Sequence, residues 1–150
     1  MIKKLVLSIL LSVATSHYAM ADFTDREAGE IISQFYKQYV FVGRKEFNSD
    51  VYSFGTSRFL KKLERAYSAA YDCYRAPCYG FWALRTEAQD GDGASILSDI
   101  RPTKNKGWYR VSYLDMGHKG ITDVKVVEKN GIIKLDDYRR VYQRFRWLNQ

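Results

Sequence analysis

From Thr24 onward, apolar side chains recur every three or four residues: Ala28, Ile31, Ile32, Phe35, Tyr36, Tyr39 and Val40. At 3.6 residues per turn these positions merge into one wide apolar stripe, which a second layer of structure must cover. Thr24-Asp25-Arg26-Glu27 places a hydroxyl three residues ahead of a carboxylate, the spacing that satisfies the free amides of a helix start. A helix is therefore predicted from Asp25 to Phe41.

What precedes that helix reads as an address. Lys3 and Lys4 open the chain, Leu5 to Val13 is apolar, and Ala19-Met20-Ala21 is a small-x-small cleavage site before Asp22. Residues 1–21 are predicted to be a cleaved signal peptide, and residues 22–150 a single exported α+β domain located in the periplasm. The apolar run is too short to span a bilayer, so stable membrane insertion is not expected. The residue directly after the cleavage point is Asp22 rather than cysteine, which argues against a lipid anchor there. The 129 remaining residues suffice for one core. They carry 22 basic and 17 acidic side chains. In the envelope that surplus suits a protein partner or cell-wall polymer, and nucleic acid is not an expected partner.

The two cysteines, Cys73 and Cys78, lie in Cys73-Tyr74-Arg75-Ala76-Pro77-Cys78. In an oxidising compartment such a pair is predicted to form a disulfide. Metal binding would need more ligands, and the exported part has one histidine, His118. A redox-active pair would have two intervening residues rather than four.

Gly43, Asn48, Asp50 and Gly55 mark Val42 to Gly55 as a connection with room for one helical turn. A second helix is predicted from Thr56 or Ser57 to the approach of Pro77, with Phe59, Leu60, Leu63, Tyr67, Ala70, Tyr71 and Tyr74 on its buried face. After Cys78 the pattern changes to strands, opening with the aromatic run Tyr79 to Leu84. Gln89-Asp90-Gly91-Asp92-Gly93 has the alternating aspartates of a calcium loop, but Ala94, Ser95 and Arg101 stand where the remaining oxygen, the glycine and the closing carboxylate belong. Arg85 to Asp99 therefore reads as a loop.

Trp108 to Leu114 alternates, with Tyr109, Val111 and Tyr113 on one side and Arg110 and Ser112 on the other. A turn over Asp115 to Gly120, a strand over Thr122 to Lys129, the hairpin signal Asn130-Gly131 and a strand over Ile132 to Asp136 follow. Tyr138, Val141, Tyr142, Phe145 and Leu148 then fall at helical spacing, which predicts a short C-terminal helix or turn, with a final strand as the alternative. The expected class is α+β, two N-terminal helices packed on a curved, cone-like antiparallel sheet.

This order, with Glu87-Ala88-Gln89-Asp90 and the run Asn130-Gly131-Ile132-Ile133-Lys134-Leu135-Asp136-Asp137, resembles the domain-of-unknown-function 3828 family of small exported bacterial proteins. That family is similar in turn to the nuclear-transport-factor-like, cystatin-like cone. The resemblance implies a fold and an envelope location and no particular reaction.

No catalytic set emerges. His118 lies in a glycine-flanked polar turn with nothing nearby to orient its ring, and no phosphate-binding loop or paired-histidine motif is present. A cone-pocket enzyme would need a buried carboxylate such as Asp90 or Asp136 facing a tyrosine hydroxyl. Tyrosine and arginine, the residues that anchor interfaces, are abundant. Candidate interface residues are Trp108, Tyr109 and Tyr113 on the sheet, and Arg139, Arg140, Arg144, Arg146 and Trp147 near the end. The expectation is a non-catalytic periplasmic binding protein without cofactor or metal. Its expected role is that of an immunity or inhibitor protein whose partner is an envelope-directed toxin, for instance a type VI secretion effector, with cell-wall contact as a further option. The alternatives are a small-ligand or peptidoglycan-binding module and, third, the cone-pocket enzyme.

Overall fold

A computed structural model describes residues 23–42, 50–86 and 92–141. The predicted signal peptide lies outside them. Helix α1 (Asp25–Phe35) starts at the predicted capping box: Thr24 accepts from the Glu27 amide, and the Glu27 carboxylate accepts from the Thr24 amide at 2.8 Å. That backbone bond and the Thr24 hydroxyl hold the Glu27 carboxyl below its ordinary pKa. Over Tyr36–Val40 the helix widens to π geometry, with the Phe41 amide donating to the Tyr36 carbonyl. Tyr36, Tyr39 and Val40 are all buried there. Phe35 sits among the rings of Tyr39, Phe54, Phe59 and Phe81, with centroids 5.3 to 5.9 Å away.

A single turn, α2 (Val51–Phe54), fits the expected connection. Helix α3 (Ser57–Ser68) begins where predicted, capped by Thr56, but ends well short of Pro77. The chain has to double back here, because the Gly80 amide donates to the Leu63 carbonyl at 2.9 Å. A Cβ on Gly80 would come within 2.9 Å of the Tyr67 nitrogen, so the returning segment lies directly against the helix backbone. The Cys73–Cys78 disulfide closes the reversal with its Cα atoms 5.9 Å apart. Five residues of helix would rise about 7.5 Å, so the ring excludes continued helix. Tyr71 and Tyr74, expected in the core, are consequently 60% and 94% exposed.

Tyr79 to Leu84 is not a strand. Phe81–Leu84 is a 3-10 turn whose carbonyls meet side chains instead of a neighbouring strand. Arg140 donates to the Trp82 and Ala83 carbonyls, and Tyr36 and Thr122 donate to that of Leu84.

Four antiparallel strands follow in sequential order: β1 (Ile96–Pro102), β2 (Trp108–Asp115), β3 (His118–Lys129) and β4 (Ile132–Arg140). The fold is α+β, an open sheet whose inner face shares one core with the helices. Along β2 burial alternates as the sequence implied, with Tyr109, Val111, Tyr113 and Asp115 facing in. Met116-Gly117 and Asn130-Gly131 both take positive φ, as two-residue hairpin turns require. Gly120 stands opposite Tyr113, whose ring occupies the space a Cβ would need.

Two elements differ from expectation. Strand β1 was read as loop; it is an outer strand with just Leu97 and Ile100 packed against the core and a bulge between Leu97 and Asp99. Strand β4 runs on through Tyr138, Arg139 and Arg140, where a short helix or turn is the first expectation and a final strand the second. Within it lies a bulge: Val126 pairs with Leu135 and Lys125 with Asp137, leaving Asp136 as the extra residue. Leu135 and Tyr138 then both face the core three positions apart, which imitates helical spacing. The remaining tail, 142–150, lies outside the described residues.

Candidate functional site

A cone pocket would open on the inner face of the sheet. Among the described residues its mouth is occupied by interlocked polar side chains. Tyr36 and Tyr113, rings 5.6 Å apart, are both buried. The Tyr113 hydroxyl shares a 3.0 Å hydrogen bond with Thr122. Burial pushes both phenols above their ordinary pKa, so neither ionises near neutrality.

Beside them Asp115 is fully buried at the end of β2. It accepts from the Arg85 guanidinium, from the amide and hydroxyl of Thr86, and from Ser95. Burial alone would raise this carboxyl; the bonds from Arg85 and Thr86 outweigh it and hold the carboxyl below its usual range. A carboxylate so saturated is a poor proton donor and has no free oxygen aimed at a substrate. This cluster joins the Arg85 segment to the sheet and does not have the acid–base form expected of a cone-pocket enzyme.

The opposite face of the sheet is different. Asp123, only 1% exposed, lies on β3 between two arginines of neighbouring strands. Arg110 of β2 donates to it through two nitrogens, at 2.9 and 3.2 Å, which raises the Arg110 pKa. Arg139 of β4 approaches the same carboxylate at 3.3 Å and lies 4.5 Å over the Trp108 ring. The result is a flat cation–π surface locked by one buried anion, with Arg139 exposed to solvent.

Towards α3 the charge pattern continues. Asp137 accepts from Arg58 and Lys62, both at 2.6 Å, and Asp136 accepts from the Thr56 hydroxyl at 3.0 Å with Lys125 at 3.3 Å. Burial opposes ionisation of Asp137, but Lys62, the Tyr138 amide and Arg58 prevail and lower its pKa. Asp136 is thus a bulge residue tying sheet to helix, and it faces no tyrosine in a cavity.

Of the candidate interface residues, Trp108 and Arg139 meet on the open face. Tyr109 and Tyr113 point inward because they alternate with the exposed positions of β2. The Tyr109 hydroxyl donates to Asp25 at 2.8 Å, and burial with that bond pushes its pKa up to about 12. Arg140 turns inward to the Trp82 and Ala83 carbonyls. Asp90, Arg144, Arg146 and Trp147, like the Glu87 to Asp90 segment, lie outside the described residues. Asp123 was missed by sequence reasoning; its one signal was a charge amid the apolar run Ile121 to Val127. Next to Trp108 a cleft of about 450 Å³ is bounded by Phe23, Asp25, Lys106, Tyr109 and Lys125.

The described residues contain no cluster of side chains able to hold a metal ion and no helix long and apolar enough to cross a membrane. The Cys73–Cys78 disulfide fits a secreted protein. Fold and site together define an α+β domain with an open four-stranded antiparallel sheet and a fixed Trp–Arg surface. No protein-family model matches the chain, and no curated protein matches it. Among solved structures it is similar to a protein of unknown function from Bacteroides thetaiotaomicron VPI-5482. The two share 23% identity at a TM-score of 0.53, over 77% of this chain and 90% of that one. The likeness is one of fold.

Proposed function

We propose that this is an exported, non-catalytic binding protein that neutralises an envelope-directed toxin, and that the Trp108–Arg139 face of its sheet meets the toxin. The observation that carries the proposal is the double grip of Asp123 on Arg110 and Arg139. Holding a guanidinium flat on a tryptophan before any partner arrives removes an entropic cost of binding, and Trp and Arg are the side chains that dominate interface energetics. The inner face supports the same reading from the other side, since its buried carboxylate Asp115 and the hydroxyls of Tyr36, Tyr109 and Tyr113 are committed to structural bonds. An inhibitor blocks an active site by shape and charge and requires no chemistry of its own. The resemblance to small exported bacterial proteins of the domain-of-unknown-function 3828 family is consistent with that role.

A second reading follows from the cleft beside Trp108. Its size falls in the range that holds small ligands, and its mixture of aromatic and charged walls suits a polar envelope molecule such as a cell-wall fragment.

The deciding experiment directs to the periplasm any secreted hydrolase or transpeptidase found in a neighbouring reading frame, with and without the protein. Protection that is lost with Trp108→Ala and Arg139→Glu is expected. Should no adjacent effector be neutralised, and should deletion leave the strain indifferent to its siblings, the inhibitor reading falls.

A further inference from the structure

Strand β1 has β2 on one side and no strand on the other among the described residues. The Thr103 amide donates to the Trp108 carbonyl at 2.8 Å. Backbone groups alternate in direction along an antiparallel strand, so Arg101 directs its amide and carbonyl into β2 while Ile100 directs both outward. Pro102 also faces outward, where its missing N–H costs no bond within the sheet. Ile100 is therefore a complete donor–acceptor pair on an open edge.

Beside this edge, α1 and β1 leave a groove of about 500 Å³, floored by Leu97 and Ile100 and walled by Gly29 and Ser33. A Cβ on Gly29 would meet nothing within 4 Å. No contact among the described residues calls for glycine in mid-helix, where it costs about 1 kcal/mol relative to alanine. Asp99 and Arg101 flank Ile100, 3.6 Å apart and both exposed.

We propose that this edge joins two copies of the chain, paired antiparallel about a two-fold axis at Ile100. In that register the Ile100 backbones exchange two hydrogen bonds, and Asp99 stands opposite Arg101 of the second copy, twice over. An isologous contact must be self-complementary, and this order of charges makes it so. Centred instead on Asp99 or on Arg101, the pairing would set like charges against each other, so the same two residues that guard the edge also select one register. The groove takes the second copy's Ile100 side chain, and Gly29 and Ser33 leave room for it.

The purified protein should show a concentration-dependent dimer by sedimentation velocity. Asp99→Arg and Arg101→Asp should each raise the dimer dissociation constant at least about tenfold. The double swap should return it to within about threefold of the original. Gly29→Leu should weaken the dimer without lowering the thermal midpoint, which separates blocked pairing from misfolding. A wild-type chain that stays monomeric at high micromolar concentration overturns the proposal and leaves the edge for a strand of another protein. A dimer whose affinity ignores both single swaps, or a double swap no tighter than the singles, overturns it as well.

Discussion

Arg139 lies 4.5 Å over the ring of Trp108, and the nearly buried carboxylate of Asp123 fixes it there. The contact joins β2 to β4 across the strand between them, so it belongs to the sheet as a whole. Because the two side chains touch, Trp108→Ala and Arg139→Ala will not be additive. A double-mutant cycle by urea unfolding should return a coupling of about 0.5–1 kcal/mol. Strict additivity would mean that the stacking contributes nothing.

Asp115 gives a larger effect, because removing its charge leaves Arg85 without its buried partner. Asp115→Asn should cost about 3 kcal/mol or more. The folded-state pKa values of Asp115 and Asp137 are both depressed. Their stabilisation is thus complete above the unfolded carboxyl pKa of about 3.9 and is lost as pH falls through that value towards the lower folded one. Unfolding free energy should be nearly flat from neutrality to about pH 5 and drop steeply below about pH 4, with a shallower drop in Asp115→Asn. An equal acid slope in the variant would remove Asp115 from the explanation.

The Cys73–Cys78 ring is small, and a short closed loop restricts the unfolded chain only modestly. Replacing both cysteines by alanine should lower stability by about 2 kcal/mol and leave the fold intact. Circular dichroism with and without reductant measures this directly. Loss of the folded spectrum on reduction would show that the ring organises the Gly80 return rather than merely closing it.

Tyr79 is 1% exposed, and among the described residues its hydroxyl makes no well-formed hydrogen bond. Burial, and after it the neighbouring Tyr52 hydroxyl, raise its pKa, so the group stays neutral and lacks a bond that offsets its burial. Tyr79→Phe should therefore be neutral or stabilise by up to about 1 kcal/mol. A clear destabilisation would reveal a bond to that hydroxyl that the geometry does not contain.

The two ends of β4 show how far sequence reading reaches. Ile132 to Asp136 was legible because Asn130-Gly131 permits few conformations besides a hairpin turn. Tyr138 to Arg140 was less so, because Tyr138 and Val141 are spaced like neighbours on a helix, and the pairing of this stretch with β3 passes through a bulge at Asp136 that no local spacing announces. Strand β1 escaped notice for a related reason: an outer strand buries few side chains, so Ile96 to Pro102 carries little alternation. In the candidate site the types were legible and the faces only in part. Tyr109 and Tyr113 could be assigned to the side opposite Arg110, but which side would be covered depended on where the helices came to rest.

By itself the sequence determined what rests on near neighbours along the chain: the capped stripe of α1, the start of α3, the alternation of β2, both hairpin turns and the closeness of Cys73 to Cys78. Local torsions and short spacings decide such features, and they are written in consecutive residues. Tertiary structure decided that α3 must stop at Ser68 for Gly80 to return, that Asp136 bulges, and that Arg110, Asp123, Arg139 and Trp108 meet. Each of those depends on the packing of segments distant in sequence, where one carboxylate out of water can gather two arginines that no spacing would have joined.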